Sequence, residues 1–257
     1  MDTQHCPFVW YELMTSDDQA AAAFYSRVVG WQTADAGMPD MRYTLLSAGG
    51  AEIAGLMTLP QAACDAGARP GWVGYIGVAD VDGMAQRLQQ AGGQVHRPPE
   101  DIPGVGRFAV VADPHGASFD LFRGNEAGQP PQPPMGTPGT VGWAELSAGD
   151  LGSAWTFYSG LFGWTREEDM DMGEMGVYRL FAAGGPAIGG MMDKPPQVPA
   201  PGWLYYFNVE AIDAAMARVT AAGGQVLNGP MEVPGPMWTL QCLDPQGAAF
   251  ALVAPMR

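Results

Sequence analysis

Histidine and cysteine, the residues from which most soft metal sites and disulfide frameworks are built, are scarce: three of each in 257 residues. Cys6, Cys64 and Cys242 are odd in number and widely spaced, which argues against both a disulfide framework and a zinc knuckle and points to free thiols in a reducing compartment. Basic residues are also few, 12 Lys and Arg against 27 Asp and Glu, a net charge of −15. A phosphate backbone would be repelled, so no nucleic-acid partner is expected. No apolar run reaches the length of a membrane span, and the start MDTQHCPF has neither a basic n-region nor an apolar h-region. The chain is read as cytoplasmic, with no membrane partner. No GxGxxG or P-loop follows a strand, so no nucleotide cofactor is expected.

What the chain does have is an internal repeat. Residues 71–122 return as residues 202–253, and without a gap about 20 of about 52 positions agree. Each copy follows a second duplicated unit, FVWYELMTSDDQAAAAFYSRVVGW from Phe8 and VGWAELSAGDLGSAWTFYSGLFGW from Val141. The order is A, B, A, B. Residues 124–140 are dense in Pro and Gly and read as a linker. Two domains follow, 1–123 (modules about 8–60 and 71–123) and 141–257 (modules about 141–192 and 202–254).

Within a unit the pattern reads strand, helix, then about three strands. Residues 8–14 are a strand, and Ser16 is expected to cap a helix with Asp17 and Asp18 in its first turn and Gln19 completing a capping box. Ala21, Phe24, Tyr25 and Val28 form its buried face, and Gly30 stops it. Strands are expected at 43–47 and 53–59, a loop at 60–70, a strand at 72–78, a helix over Val81, Met84, Leu88 and Ala91, and strands near 95, 107–112 and 118–122. The second half repeats this, with a helix at about 150–162 and strands near 177–182 and 187–192. The segment GEMGVY, with Met170, Met172 and Met175, reads as packing.

WxEL, AxxFYxxxxGW, GWxxYxxV, AGGxV, IPG and DPxGAxFxL, spaced in this order, resemble the glyoxalase/bleomycin-resistance/dioxygenase family, the vicinal oxygen chelate superfamily. The resemblance implies an α+β fold of four βαβββ modules paired into two cup-shaped half-barrel domains, with ligand sites inside the cups. It leaves the activity open, since the scaffold is similar across isomerases, dioxygenases, thiol transferases, epimerases and drug-sequestering proteins. Catalytic members hold a divalent ion through His, Gln or Glu on first and last strands. Those positions carry over onto Trp10, Trp143, Val73 and Leu204, and onto about Ala54, about Gly189, Asp120 and Ala251. Only Asp120 could coordinate, and one carboxylate is not a site. His5, His96 and His115 fall in a tail, a connecting segment and a turn. No metal and no cofactor is expected.

Strand alternation supplies the cup lining. With Leu13 toward the helix, Trp10, Glu12 and Met14 face the cup, and Trp143, Glu145 and Ser147 match them. Val73, Tyr75 and Gly77 correspond to Leu204, Tyr206 and Asn208, while Asp120 and Phe122 belong to one wall and Trp238, beside Gln241, to another. Arg107, whose repeat partner is Trp238, is a candidate anion clamp. Such walls suit a small, flat, largely apolar molecule. Glu12 and Glu145 recur at one place in both halves, and a mid-strand glutamate needs a partner when buried. Each either bonds a tyrosine such as Tyr75 or Tyr206, or a backbone amide, or serves as a general base. Three functions remain open: a metal-free binding protein for an aromatic or apolar molecule, a metal-independent lyase or isomerase using Glu12 or Glu145, and an interaction module with filled cups. The expected partner is a small molecule; a homodimer is left open.

Overall fold

The computed structural model describes residues 5–38, 41–65, 67–125 and 133–257; residues 126–132 of the expected linker lie outside them. The first half contains β1 (Phe8–Thr15), α1 (Asp18–Val28), β2 (Gln32–Asp35), β3 (Tyr43–Ala48), β4 (Ala51–Thr58), α2 (Gln61–Asp65), β5 (Gly71–Gly77), α3 (Val81–Gln90), β6 (Gln94–Ile102), β7 (Gly106–Ala112) and β8 (Ser118–Gly124). The second half contains β9 (Val141–Ala148), α4 (Leu151–Phe162), β10 (Thr165–Asp171), β11 (Val177–Ala182), β12 (Ala187–Asp193), β13 (Gly202–Asn208), α5 (Ile212–Ala221), β14 (Gln225–Val233), β15 (Met237–Leu243) and β16 (Ala249–Ala254). These are four βαβββ modules in two eight-stranded sheets, ordered β2-β3-β4-β1-β5-β8-β7-β6 and β10-β11-β12-β9-β13-β16-β15-β14. Neither sheet closes into a barrel.

Three local expectations need correction. Asp17, not Ser16, caps α1, its carboxylate accepting from the Ala20 N–H at 2.9 Å; its ionised oxygen is the stronger acceptor for the first-turn amides and the positive end of the helix dipole. The loop at 60–70 holds the short helix α2. The strands β2 and β10 escape a hydrophobic pattern because they are sheet edges, QTAD exposed throughout and TREEDMD nearly so. Charge along an edge also blocks unwanted strand addition.

By packing, the described residues divide into two units, each drawing on both halves of the chain. One comprises residues 1–10, 73–129 and 143–203, the other 11–72, 130–142 and 204–257. In the second unit, α1 packs beside α5 over a core of Phe24, Tyr25, Trp31, Trp72, Phe207 and Phe250. Burying a side chain of this size contributes about 1.5–3 kcal/mol. The polar atoms are satisfied in a chain: Trp72 Nε1 donates to Tyr25 Oη at 2.9 Å, and Tyr25 donates to Asp244 Oδ2 at 3.2 Å. Asp244 Oδ1 accepts from the N–H groups of Gln246 and Ala248, each at 2.9 Å, which closes the Asp-Pro turn. Burial raises the Asp244 pKa, with the turn's N–H groups pulling the other way.

The first unit repeats the arrangement with other residues. Trp203 Nε1 donates to Tyr158 Oη at 3.1 Å, Tyr158 donates to Asp113 Oδ2 at 3.4 Å, and Asp113 Oδ1 accepts from His115 and Ala117. Around them pack Phe119, Phe162, Trp164 and Phe181. The FY, GW and DPxGA motifs are therefore core machinery, and the chemistry of the site has to be sought on the other face of the strands.

Candidate functional site

On β1 the alternation is as expected: Leu13 is fully buried and pairs with Leu56, whereas Glu12 pairs with Gly55 on the opposite face. In the antiparallel β3–β4 pair Gly55 lies opposite Leu45, and Tyr43 lies opposite Met57 on that same face. Tyr43 leans diagonally across β4 and donates its hydroxyl to Glu12 Oε2 at 2.8 Å. The crossing depends on glycine, since a Cβ at position 55 would lie 1.8 Å from the Tyr43 oxygen. Glu12 is buried, 7% exposed, so this bond answers the cost of a charge in a strand interior.

The second half builds the same device, with Trp143 joined to it. Glu145 pairs with Gly190, which lies opposite Leu180. Tyr178 crosses Gly190 to donate to Glu145 Oε2 at 2.9 Å, and Trp143 Nε1 donates to the Tyr178 oxygen at 2.8 Å. A Cβ on Gly190 would fall 2.2 Å from Tyr178 Cζ. On the other face of β11, Arg179 holds Asp169 through two bonds of 2.8 Å and lies over the Trp155 ring of α4. Trp143, Tyr178 and Glu145 thus form a directed string of donors ending at a carboxylate, on the strand face turned away from the helix.

Tyr43 and Tyr178 are thus tyrosine partners of the glutamates that the sequence reading did not name. The signal was present, in YTLL and YRLF at matched places and in the paired glycines, but the connecting loops differ in length and hide the alignment. Tyr75 lies opposite Asp120 and packs edge-on against Phe122 at 6.0 Å. Tyr206 accepts from Gln241 Nε2 at 2.9 Å. Asn208 donates to Thr140 Oγ1 at 2.9 Å, and its backbone N–H bonds the Thr140 carbonyl at 2.8 Å, so its side chain anchors the chain entering β9. Trp10 is half-buried on β1.

Two candidates are on the wrong face. Trp238 pairs with Ala254 in the register that puts Leu240 on Leu252, both fully buried, while Gln241 pairs with Ala251. Three residues apart on a strand means opposite faces, so Trp238 does not share a wall with Gln241 or Tyr206; the Arg257 guanidinium covers its ring instead. Arg107 likewise points to the helix side, held by Asp82 of α3 at 2.7 and 2.8 Å and by Asp101 at 3.0 Å. A guanidinium satisfied by two carboxylates is no anion clamp.

The family's metal positions can be tested on side-chain chemistry. Ala54 and Gly189 pair with Tyr11 and Ala144 and face the helices; the opposite face at these places carries Gly55 and Gly190, which have no donor. Among the described residues no group of three or more His, Cys, Asp or Glu side chains could hold a metal ion. His5 Nδ1 bonds the Gly163 carbonyl and His115 Nε2 the Ser153 hydroxyl, so neither joins Asp120. A divalent ion needs several converging donors, and these residues do not fit one.

The profile of the Glyoxalase/Bleomycin resistance protein/Dioxygenase superfamily matches residues 8–121 and 140–252. The chain belongs to this superfamily. It is 34% identical over 249 residues to a putative glyoxylase, CFP32, of Mycobacterium tuberculosis, covering 96% of this chain and 94% of that protein. It is 32% identical over 264 residues to the anthracycline biosynthesis protein DauV of a Streptomyces species, covering 95% and 91%. Among solved structures it is similar to the Mn(II)-bound glyoxalase from Novosphingobium aromaticivorans, with a TM-score of 0.65, 16% identity, and coverage of 99% and 83%. It is also similar to the 2,3-dioxygenase LapB from Pseudomonas sp. KL28, with a TM-score of 0.64, 12% identity, and coverage of 98% and 92%. At such identities the structural likeness shows the fold. No helix among the described residues is long and apolar enough to cross a membrane.

Proposed function

We propose that this superfamily member binds a small, flat, largely aromatic molecule on the helix-free face of its A modules, without a divalent ion. The observation that carries this reading is the string Trp143–Tyr178–Glu145, an aromatic pair whose polar atoms are ordered toward one carboxylate. An indole and a phenol offer stacking area, and the ordered polar atoms supply orientation. The donor set at the family's metal positions does not suit a cation. Two relatives, DauV and DnrV, carry names placing them in anthracycline biosynthesis, and an anthracycline is a fused-ring aromatic.

Titrating metal-stripped protein with 1,4-naphthoquinone and 9,10-anthraquinone, with tryptophan emission as the signal, tests the proposal. Saturable quenching is expected for at least one of them. Glu145→Gln, which replaces the acceptor that holds the Tyr178 hydroxyl, should weaken binding severalfold by loosening the ring the ligand stacks on, and Trp143→Leu should remove most of the signal. A linear, unsaturable response in every titration would contradict the proposal. The second reading, acid/base chemistry at Glu12 or Glu145, draws support from the relative called a glyoxylase and from the burial of Glu12. It predicts turnover of a carbon acid that vanishes in Glu12→Gln or Glu145→Gln while the melting temperature holds.

A further inference from the structure

The segment 170–177 was expected to pack, yet most of it lies open. Met172, Met175 and Val177 are 38%, 55% and 39% exposed, a concentration of large apolar side chains within six residues of a very acidic chain. In the β10–β11 register Met170 lies directly opposite Tyr178 and is half-buried, whereas Asp169 pairs with Arg179 on the helix face. Met170 therefore shares the face of Tyr178, within the 4.5–5.5 Å Cβ spacing of cross-strand neighbours. Beyond it the chain turns through Gly173–Met175, closed by a 2.8 Å bond from the Met172 N–H to the Gly176 carbonyl. Gly173 and Gly176 have φ of 63° and 80°, left-handed values that let one tight turn carry two methionines at its tip.

The first half also carries methionines between β2 and β3, Met38 and Met41, the latter 38% exposed, but none directly opposite its tyrosine. There the Tyr43 carbonyl accepts from the N–H of Ala36, just past the end of β2, so the neighbour of the tyrosine strand is a methyl group. A methionine directly opposite the tyrosine occurs in the second half alone among the described residues, so the shared fold does not require it. Exposed apolar side chains beside an ordered polar string are a surface awaiting a partner, and the unbranched thioether side chain adapts its shape to what it covers.

We infer that Met170, Met172 and Met175 form an adaptable lip over the Trp143–Tyr178–Glu145 string, and that Met170 sets the size of the ring system accepted there. This rests on the ligand-binding reading above and commits it to the second half of the chain. A flat ligand against Tyr178 gives Met172 and Met175 an apolar surface to close on.

The test combines binding with methionine oxidation. Protein saturated with whichever quinone quenches it is treated with dilute hydrogen peroxide, and sulfoxide formation is followed by peptide mass spectrometry. Met135, 73% exposed and outside this segment, is the internal reference. Met172 and Met175 are expected to oxidise at least fivefold more slowly in the complex than in free protein, with Met135 unchanged. Met170→Ala should weaken naphthoquinone binding about tenfold and weaken anthraquinone less. Saturation without protection, or equal effects of Met170→Ala on both ring sizes, overturns the lip while leaving the binding reading intact. Absence of saturable binding by either quinone overturns both.

Discussion

Replacing Gly190 with alanine removes the passage by which Tyr178 reaches Glu145. The added Cβ would sit 2.2 Å from Tyr178 Cζ and 2.4 Å from its oxygen, against the roughly 3.5–4.0 Å of a relaxed carbon contact, so the ring has to withdraw by more than about 1 Å. Its bonds of 2.8 Å from Trp143 and 2.9 Å to Glu145 cannot both survive that movement. A neutral bond contributes about 0.5–1.5 kcal/mol and one to a charged group about 1.5–3 kcal/mol, with partial solvation of these half-buried groups reducing both. The lower chain entropy of alanine returns about 0.4–1 kcal/mol, because Gly190 has a backbone conformation that alanine can adopt. The expected net loss is about 1–3 kcal/mol, a fall in melting temperature of roughly 3–10 °C for a chain of this size. The assay is thermal and urea unfolding of Gly190→Ala alone and in a Tyr178→Ala background. With the ring gone, the same alanine should destabilise nothing and return about 0.4–1 kcal/mol of chain entropy. An equal loss in both backgrounds would refute the argument that the glycine exists to let the tyrosine cross.

Tyr25→Phe leaves Trp72 Nε1 and Asp244 Oδ2 without their shared partner in a buried core, and should cost about 1–3 kcal/mol by urea denaturation; a loss under 0.5 kcal/mol would contradict the role given to that chain. Asp244 has a folded-state pKa raised by burial, so its favourable contribution is complete below the unfolded value of about 3.9 and is lost as pH rises through the folded value. The stability of the wild type relative to Asp244→Asn should therefore fall as the pH is raised from below about 3.9 upward, and a rising difference would reverse the sign of the argument. Each packing unit draws on both halves of the chain, Tyr25, Trp31 and Trp72 from one and Phe207 and Phe250 from the other. Residues 1–125 and 133–257 expressed apart should thus fail to melt cooperatively as monomers and regain a transition when mixed; a folded monomeric half would contradict this.

Repeat, module order and fold class could all be read from the chain, because aromatic pairs and Asp-Pro turns recur at fixed spacing and those residues are the ones that fill the cores. Tyr25 and Tyr158, Trp72 and Trp203, Asp113 and Asp244 each occupy one place in both units. Parity along a single strand correctly separated Glu12 from Leu13. It misled at Trp238, where sequence proximity to Gln241 stood in for a count of residues along the strand. The tyrosine partners of the glutamates were hidden for another reason: the bond joins β1 to β3 across an intervening strand, so it leaves no local periodicity and shows only in the matched YTLL and YRLF and their glycines. Edge strands carry little apolar signal since one side of their ladder faces water, which is why β10, and with it the neighbour of Tyr178, was missed.

The measurement that bears most directly on the whole account is quinone binding by protein whose residual metal has been removed and verified by elemental analysis, repeated after adding one equivalent per site of Mn(II), Fe(II) or Zn(II). The account predicts saturable binding in the stripped protein, with an affinity that the added ions leave unchanged. Binding that appears only when an ion is restored in stoichiometric amount would contradict it.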